Sequence, residues 1–295
     1  MNGAVSHSEG LATMIGAPPK TFLDTQIVSD VERGYIGADD WSHVSHYLKQ
    51  ATRYCISALT IGELLAGMAK GDSEYFEKHK RRLRVLLSPG PPAEVFDFII
   101  YFVARELGLP VQRPAHLEDD FLNAIDLILS APSKEALLDG FPLPGADSDQ
   151  TVRIRIDRFV KEMEENRGGY TRVMGYRQGR IAIEVSPQLW ASKLLEFYGV
   201  SGSADSITDV AERLSATYEF EMAVNKLVQN PNFPVPRRTS DLVDGQQLCY
   251  LCNPNVVFIT NDSDFRTRAV KSPQAKRIKT FAEVLACAEG KSPLL

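Results

Sequence analysis

Cysteine is scarce in this 295-residue chain, and the four present (Cys55, Cys249, Cys252 and Cys287) are too few to staple it into a disulfide framework. A cytoplasmic setting is therefore the expectation. Cys249 and Cys252 form a CxxC with no second pair inside a stretch that predicts helix, so a buried face is expected there rather than metal or redox chemistry. Long apolar runs are also lacking. The longest, VFDFIIYFVA, is broken by Asp97 and falls far short of the roughly 20 residues a membrane span requires, so it is expected to form a buried helix and no membrane partner is expected. The leader MNGAVSHSEGLATMIGAPP has neither a basic start nor a continuous apolar segment, which argues for a flexible tail over residues 1–18 rather than a secretion signal. Net positive charge is absent: Lys+Arg 33 against Asp+Glu 38 leaves −5, which argues against a histone-like partner but leaves room for local basic stripes.

What is present is enough apolar sequence, 44% of the chain, to bury a large core. Residues 19–24 predict a short buried strand, followed by a helix to about Arg33 and another over Trp41–Gln50. A short strand at 54–56 precedes a helix from Thr60 to about Ala69. From about Ser73 to Gln229 apolar spacing of three and four predicts helices, AEVFDFIIYFVAREL among them, divided by breakers such as SPGPP and GFPLPGADS. After NPNFPVP, a helix over Ser240–Leu251, the run NVVFIT, a helix near Asp262, RIKT and FAEVLACAE restore a βα pattern. The expectation is an α/β chain: a three-layer α/β/α domain with a central parallel sheet, built from 19–70 and 237–290 and interrupted by a mainly helical insertion at 71–236.

Four acidic residues stand where apolar runs give way to helices: Asp24 in TFLDTQIV, Glu63 in SALTIGELLAG, Asp244 in SDLVDGQQLCYL and Asp262 in VVFITNDSDF. Strand ends and helix starts converge on one crevice in an α/β fold, so distant acids at these boundaries can meet there. Gathered carboxylates repel one another. A divalent cation relieves that repulsion, and oxygen-only ligands suit Mg²⁺ or Mn²⁺ better than zinc. Each acid also has a plainer role open to it: Thr60 with Glu63 has the spacing of a capping box, and Asp24, Asp241, Asp262 or Asp264 could cap a helix. The five histidines (His7, His43, His46, His79 and His116) lie outside the four motifs, which argues against a metal-free histidine-pair ribonuclease. His43 and His46 share a helix face without a third ligand, and a surface position is expected for both.

With FLDTQIV, TIGELLAG, DLVDGQQLCYL and FITNDSDF in this order, the chain resembles the PIN domain family of metal-dependent nucleases, related to the FEN superfamily. The resemblance implies an endonuclease that hydrolyses phosphodiester bonds, of RNA more than DNA, with one or two Mg²⁺ or Mn²⁺ ions. It implies Asp24, Glu63, Asp244 and Asp262 as catalytic metal ligands, Asp264 as a further ligand and Thr260 as a polar companion. Asp241 shares the helix face of Asp244 and competes with it for that role. Gln26 stands where the family commonly has Asn or Ser and is implied to position substrate. The resemblance further implies pairing of copies, and it leaves open a toxin or defence effector restrained by an inhibitory protein partner. A non-cleaving scaffold for RNA or protein binding is the rival reading.

Cations follow the last acidic motif: Arg266, Arg268, Lys271, Lys276, Arg277 and Lys279, with no acid between Asp264 and Glu283. A polyanion approaching a negative pocket needs such neighbours, and Arg266 and Arg268 are the nearest candidates for substrate contact. A second basic stretch carries Arg153, Arg155, Arg158, Arg172, Arg177 and Arg180 among Phe159, Tyr170 and Tyr176, a mixture suited to phosphates and unpaired bases or to a solvated helix face.

Overall fold

Short β-branched and aromatic runs, apolar on both faces, are what a parallel sheet covered by helices demands. The computed structural model describes residues 17–70, 72–112, 117–140, 152–181, 185–235 and 240–295. Five parallel strands form the sheet: β1 (Lys20–Leu23), β2 (Arg53–Ser57), β3 (Glu94–Phe96), β4 (Val256–Ile259) and β5 (Ile278–Lys279), in spatial order β3-β2-β1-β4-β5. Helices α1 (Thr25–Glu32), α2 (Ala38–Ala51), α3 (Ala58–Lys70) and α4 (Ser73–Leu87) precede β3, and α5 (Ile99–Leu107) follows it. Next come α6 (Leu117–Ser130), α7 (Lys134–Gly140), α8 (Val152–Arg177), α9 (Pro187–Phe197), α10 (Ala204–Arg213) and α11 (Ser215–Val228). Helix α12 (Ser240–Leu248) leads through a 3-10 turn, Cys249–Cys252, to β4, and α13 (Ser263–Arg268) and α14 (Phe281–Ala288) flank β5.

Alternation along the strands divides the core in two. Leu23, Ile56, Val257 and Ile259 point into one layer with Ile27, Val44, Leu48, Phe76 and Val284. Phe22, Cys55, Phe96, Val256 and Phe258 point into the other with Phe102, Phe220, Tyr250 and Phe265. The expected three-layer α/β/α arrangement is thus present, with Phe22 stacked on Phe258 across the central pair at 4.7 Å between ring centroids.

Several sequence expectations are corrected. Residues 94–96 are not helical: they form β3, beside β2, inside the segment expected to be a helical insertion. The ten-residue apolar run merges a strand with the start of α5, and the buried Asp97 marks the junction. Helix α4 likewise belongs to the sheet domain, because Phe76, Leu83 and Leu86 sit in the first core layer. The Thr60–Glu63 capping box is not formed. Ser57, the last residue of β2, accepts the Thr60 amide at 3.0 Å, and Thr60 lies within α3 with its hydroxyl on Leu23 O at 3.2 Å. The CxxC lies in the 3-10 turn, and all four cysteines are free and buried. No helix among the described residues is long and apolar enough to cross a membrane.

Candidate active site

From β1 the chain moves outward to β2 and β3 on one side, then to β4 and β5 on the other, so the sheet's switch point lies between β1 and β4. Open α/β sheets bind ligands outside the carboxyl ends of strands at such a point. Asp24 stands there. Its amide continues the ladder by donating to Ile259 O at 2.9 Å, which places its side chain beside Thr260, the residue after β4. No glycine-rich loop follows β1 to cradle a dinucleotide phosphate; the turn is Leu23-Asp24-Thr25-Gln26.

Asp24 is buried, and its hydrogen-bond partners among the described residues are neutral. Thr260 Oγ1 donates to Oδ2 at 2.8 Å, Thr25 Oγ1 to Oδ1 at 3.2 Å, and Gln247 Nε2 reaches Oδ1 at 3.5 Å. Burial pushes its carboxyl above the ordinary aspartate value, while the bonds from Thr260, Thr25 and Gln247 and the Gln26 amide act in the opposite direction. The same neighbours connect Asp24 to the other acids. Thr25 Oγ1 also lies 3.0 Å from Glu63 Oε2, so one hydroxyl stands within reach of two carboxylates and gives its single proton to one of them at a time. Thr260 Oγ1 accepts the Asp262 amide at 3.0 Å. Gln247 lies on α12 one turn beyond the half-buried Asp244, so the two share a helix face.

Local structure explains each position. Asp262 caps α13, accepting the Asp264 amide at 2.8 Å. Asn261 ties the loop to two helices, donating to Asp30 Oδ2 at 3.2 Å and accepting the Phe281 amide at 3.1 Å. Helix α12 is supported by α11, whose Phe220 ring lies so close to Gly245 that an added Cβ would stand 3.3 Å from it. The helices between β3 and β4 therefore fix the helix that carries Asp244.

The remaining candidates divide. Asp264 pairs with Arg268 at 2.7 Å, and Arg268 is buried with its guanidinium 5.0 Å from the Phe220 ring centroid. Arg266 makes two bonds to Glu283, at 3.0 and 3.1 Å. Arg277 donates to the carbonyls of Leu251, Asn253 and Val256. Three of the six cations expected near substrate thus have partners inside the protein, whereas Lys276 and Lys279 line an open cavity of about 720 Å³ with Arg213. The Gln26 side chain is exposed, as are His43 and His46. The side chains of Asp241, Arg153, Arg155, Arg158 and Phe159 lie outside the described residues, as do His7, His116 and the tail to residue 16. Among the described residues, no group of three or more His, Cys, Asp or Glu side chains stands close enough to hold a metal ion.

Sequence reasoning passed over Thr25 and Gln247 as bridging groups, although both lie inside the quoted motifs. It also set aside His79, which lines a cavity with Glu63. Helical periodicity gives no hint of that meeting, because α3 and α4 come together only through tertiary packing. Comparison of the chain with protein-family models, curated proteins and solved structures finds no match.

Proposed function

We propose that this protein is a PIN-like, divalent-metal-dependent endonuclease that hydrolyses RNA at the β1–β4 switch point. The observation that carries the reading is Asp24: a buried carboxylate at the switch-point edge of a parallel sheet, whose hydrogen-bond partners among the described residues are neutral, two of them, Thr25 and Thr260, leading on to Glu63 and Asp262. Among the described residues no cation contacts this carboxylate, and an all-oxygen surrounding suits Mg²⁺ or Mn²⁺. Gln247 Oε1 is buried beside it without a hydrogen-bond partner among the described residues, a further oxygen suited to a hydrated cation. Magnesium is commonly held by one or two carboxylates and its own waters, so the fit does not require three preassembled protein ligands.

Asp24 would hold the ion, with Glu63, Asp262 and Asp244 as its neighbours. The bound ion supplies an acidified water as nucleophile and neutralises charge developing on the phosphate. The residues themselves do the positioning. Thr25 stands between the Asp24 and Glu63 carboxylates with one proton to give, and Thr260 holds Asp24 while anchoring the Asp262 amide. Burial of Asp24 keeps bulk water from its charge and strengthens its pull on a cation. The free, buried cysteines fit a cytoplasmic setting.

Digestion of labelled single-stranded RNA, single-stranded DNA and a flap substrate, with Mn²⁺ or with EDTA, tests the reading. RNA is cut in Mn²⁺ and spared in EDTA; no cutting of any substrate contradicts it. The rival, a non-cleaving scaffold, draws on the lack of three close ligands among the described residues. It requires that Mn²⁺ leave the melting temperature unmoved, whereas a nuclease centred on Asp24 is stabilised by the ion it binds.

A further inference from the structure

A cavity of about 290 Å³ opens on the flank of the acidic site, between α1, α3 and α4, lined by Thr25, Glu63, Gly67, His79 and Arg82 among others. Its volume is about ten times the ~30 Å³ a water molecule occupies, room for a sugar ring. Two of its walls are built with care. His79 Nδ1 lies 2.8 Å from Tyr75 O; a carbonyl only accepts, so Nδ1 carries the proton and a neutral ring keeps Nε2 as an acceptor. The ring rests on Gly67, one turn after Glu63 on α3, where any Cβ would overlap it. Nε2 itself has no hydrogen-bond partner among the described residues. Burial favours the neutral ring.

Arg82 forms the other wall. Its Nη2 donates to Ser29 Oγ at 2.6 Å, and its charge is offset by Glu32, 3.6 Å from Nε. Nε is shut off from solvent and faces Glu32, while no hydrogen-bond partner is found for Nη1 among the described residues. The cavity therefore presents an unused acceptor, His79 Nε2, and an unused donor, Arg82 Nη1, beside a carboxylate of the proposed catalytic group. A ligand that completes both must donate and accept within a small volume. A hydroxyl does so, and the ribose 2′-hydroxyl is the group that distinguishes RNA from DNA.

We infer that His79 and Arg82 form a ribose subsite, in which the 2′-hydroxyl of the nucleotide flanking the scissile phosphate donates to His79 Nε2 and accepts from the Arg82 guanidinium. The inference rests on the nuclease reading and adds to it a physical origin for RNA preference. DNA entering the same cavity leaves both protein groups unpaired, which is how a site built around a hydroxyl rejects an analogue lacking one. His79 is a specificity residue here, with no part in the bond cleavage.

The test uses the full chain and matched single-stranded RNA and DNA oligonucleotides, with cleavage followed in Mn²⁺ and binding followed by fluorescence anisotropy in Ca²⁺. The parent favours RNA in both assays. His79→Phe keeps a ring against Gly67 but removes the acceptor, and it lowers the RNA-to-DNA ratio by about tenfold or more, chiefly through KM; His79→Gln, with a carbonyl acceptor, recovers part of the ratio. Melting curves certify that both variants are folded. A parent without RNA preference, or a His79→Phe variant that keeps the parental ratio, overturns the subsite while cleavage leaves the nuclease reading standing. RNA-selective, His79-dependent binding without cleavage upholds the subsite and removes the nuclease reading. Neither binding nor cleavage overturns both.

Discussion

Thr260 Oγ1 lies 2.8 Å from Asp24 Oδ2, a bond between residues 236 apart in sequence that joins the ends of the two central strands. The hydroxyl has one proton to give, and giving it to the carboxylate leaves its lone pairs for the Asp262 amide at 3.0 Å. One side chain therefore sets both a buried charge and the start of α13. Thr260→Val keeps the shape and removes the donor. It is expected to cost about 1.5–3 kcal/mol near neutral pH, the scale of a hydrogen bond to a charged group, and Thr260→Ser is expected to cost far less. Urea midpoints of the three proteins measure this; equal midpoints contradict the bridge.

Asp24 also makes stability depend on pH. Its folded carboxyl titrates above the ordinary aspartate value of 3.8, so in the interval between the two values the folded chain binds more protons than the unfolded chain. Its contribution is therefore most favourable below the ordinary value and is lost as pH rises through the raised one, after which it stays level. Asp24→Asn removes that penalty. In metal-free buffer the variant should melt higher than the parent at neutral pH, with the gap closing on acidification. A variant that melts lower than the parent by the same margin at every pH contradicts the assignment.

The seat of His79 can be tested by a double substitution. Gly67→Ala should cost about 1–3 kcal/mol, because the new methyl collides with the imidazole packed on α3. In a His79→Ala background the collision disappears and the cost of Gly67→Ala should fall sharply, the non-additivity expected of residues in contact. Additive costs contradict the packing.

Arg277 and Lys276 are neighbours with opposite assignments. Arg277→Ala orphans three backbone carbonyls near the start of β4 and is expected to cost at least about 3 kcal/mol. Lys276→Ala, on a cavity wall, is expected to stay within about 0.5 kcal/mol. Urea midpoints again decide, and comparable losses refute the distinction.

These residues also show where the sequence is legible. Asp24, Thr260 and Asp262 could be found because each ends a strand or opens a helix, and strand ends in an α/β sheet share one edge. The strands β1, β2, β4 and β5 announce themselves as short runs between helical patterns. β3 does not, because Glu94-Val95-Phe96, only two residues short of the apolar start of α5, carries no period of its own, and only SPGPP before it and Asp97 after it marked the break. The roles of Arg266, Arg268 and Arg277 were hidden for another reason. A basic run beside an acidic motif suits a polyanion equally well as it suits Glu283, Asp264 or three carbonyls, and only the folded chain brings those partners near. His79 is the clearest case, since nothing in HKRR ties it to Glu63 until α4 is laid against α3.

The most direct test of the account is cleavage of labelled single-stranded RNA in Mn²⁺ by the parent, Asp24→Asn and Asp262→Asn, with melting curves to certify that all three are folded. The account predicts that the parent cuts and that each folded variant loses at least about 100-fold in rate, the scale of losing a group that acts on the reacting centre. Equal rates from the parent and both variants would contradict it.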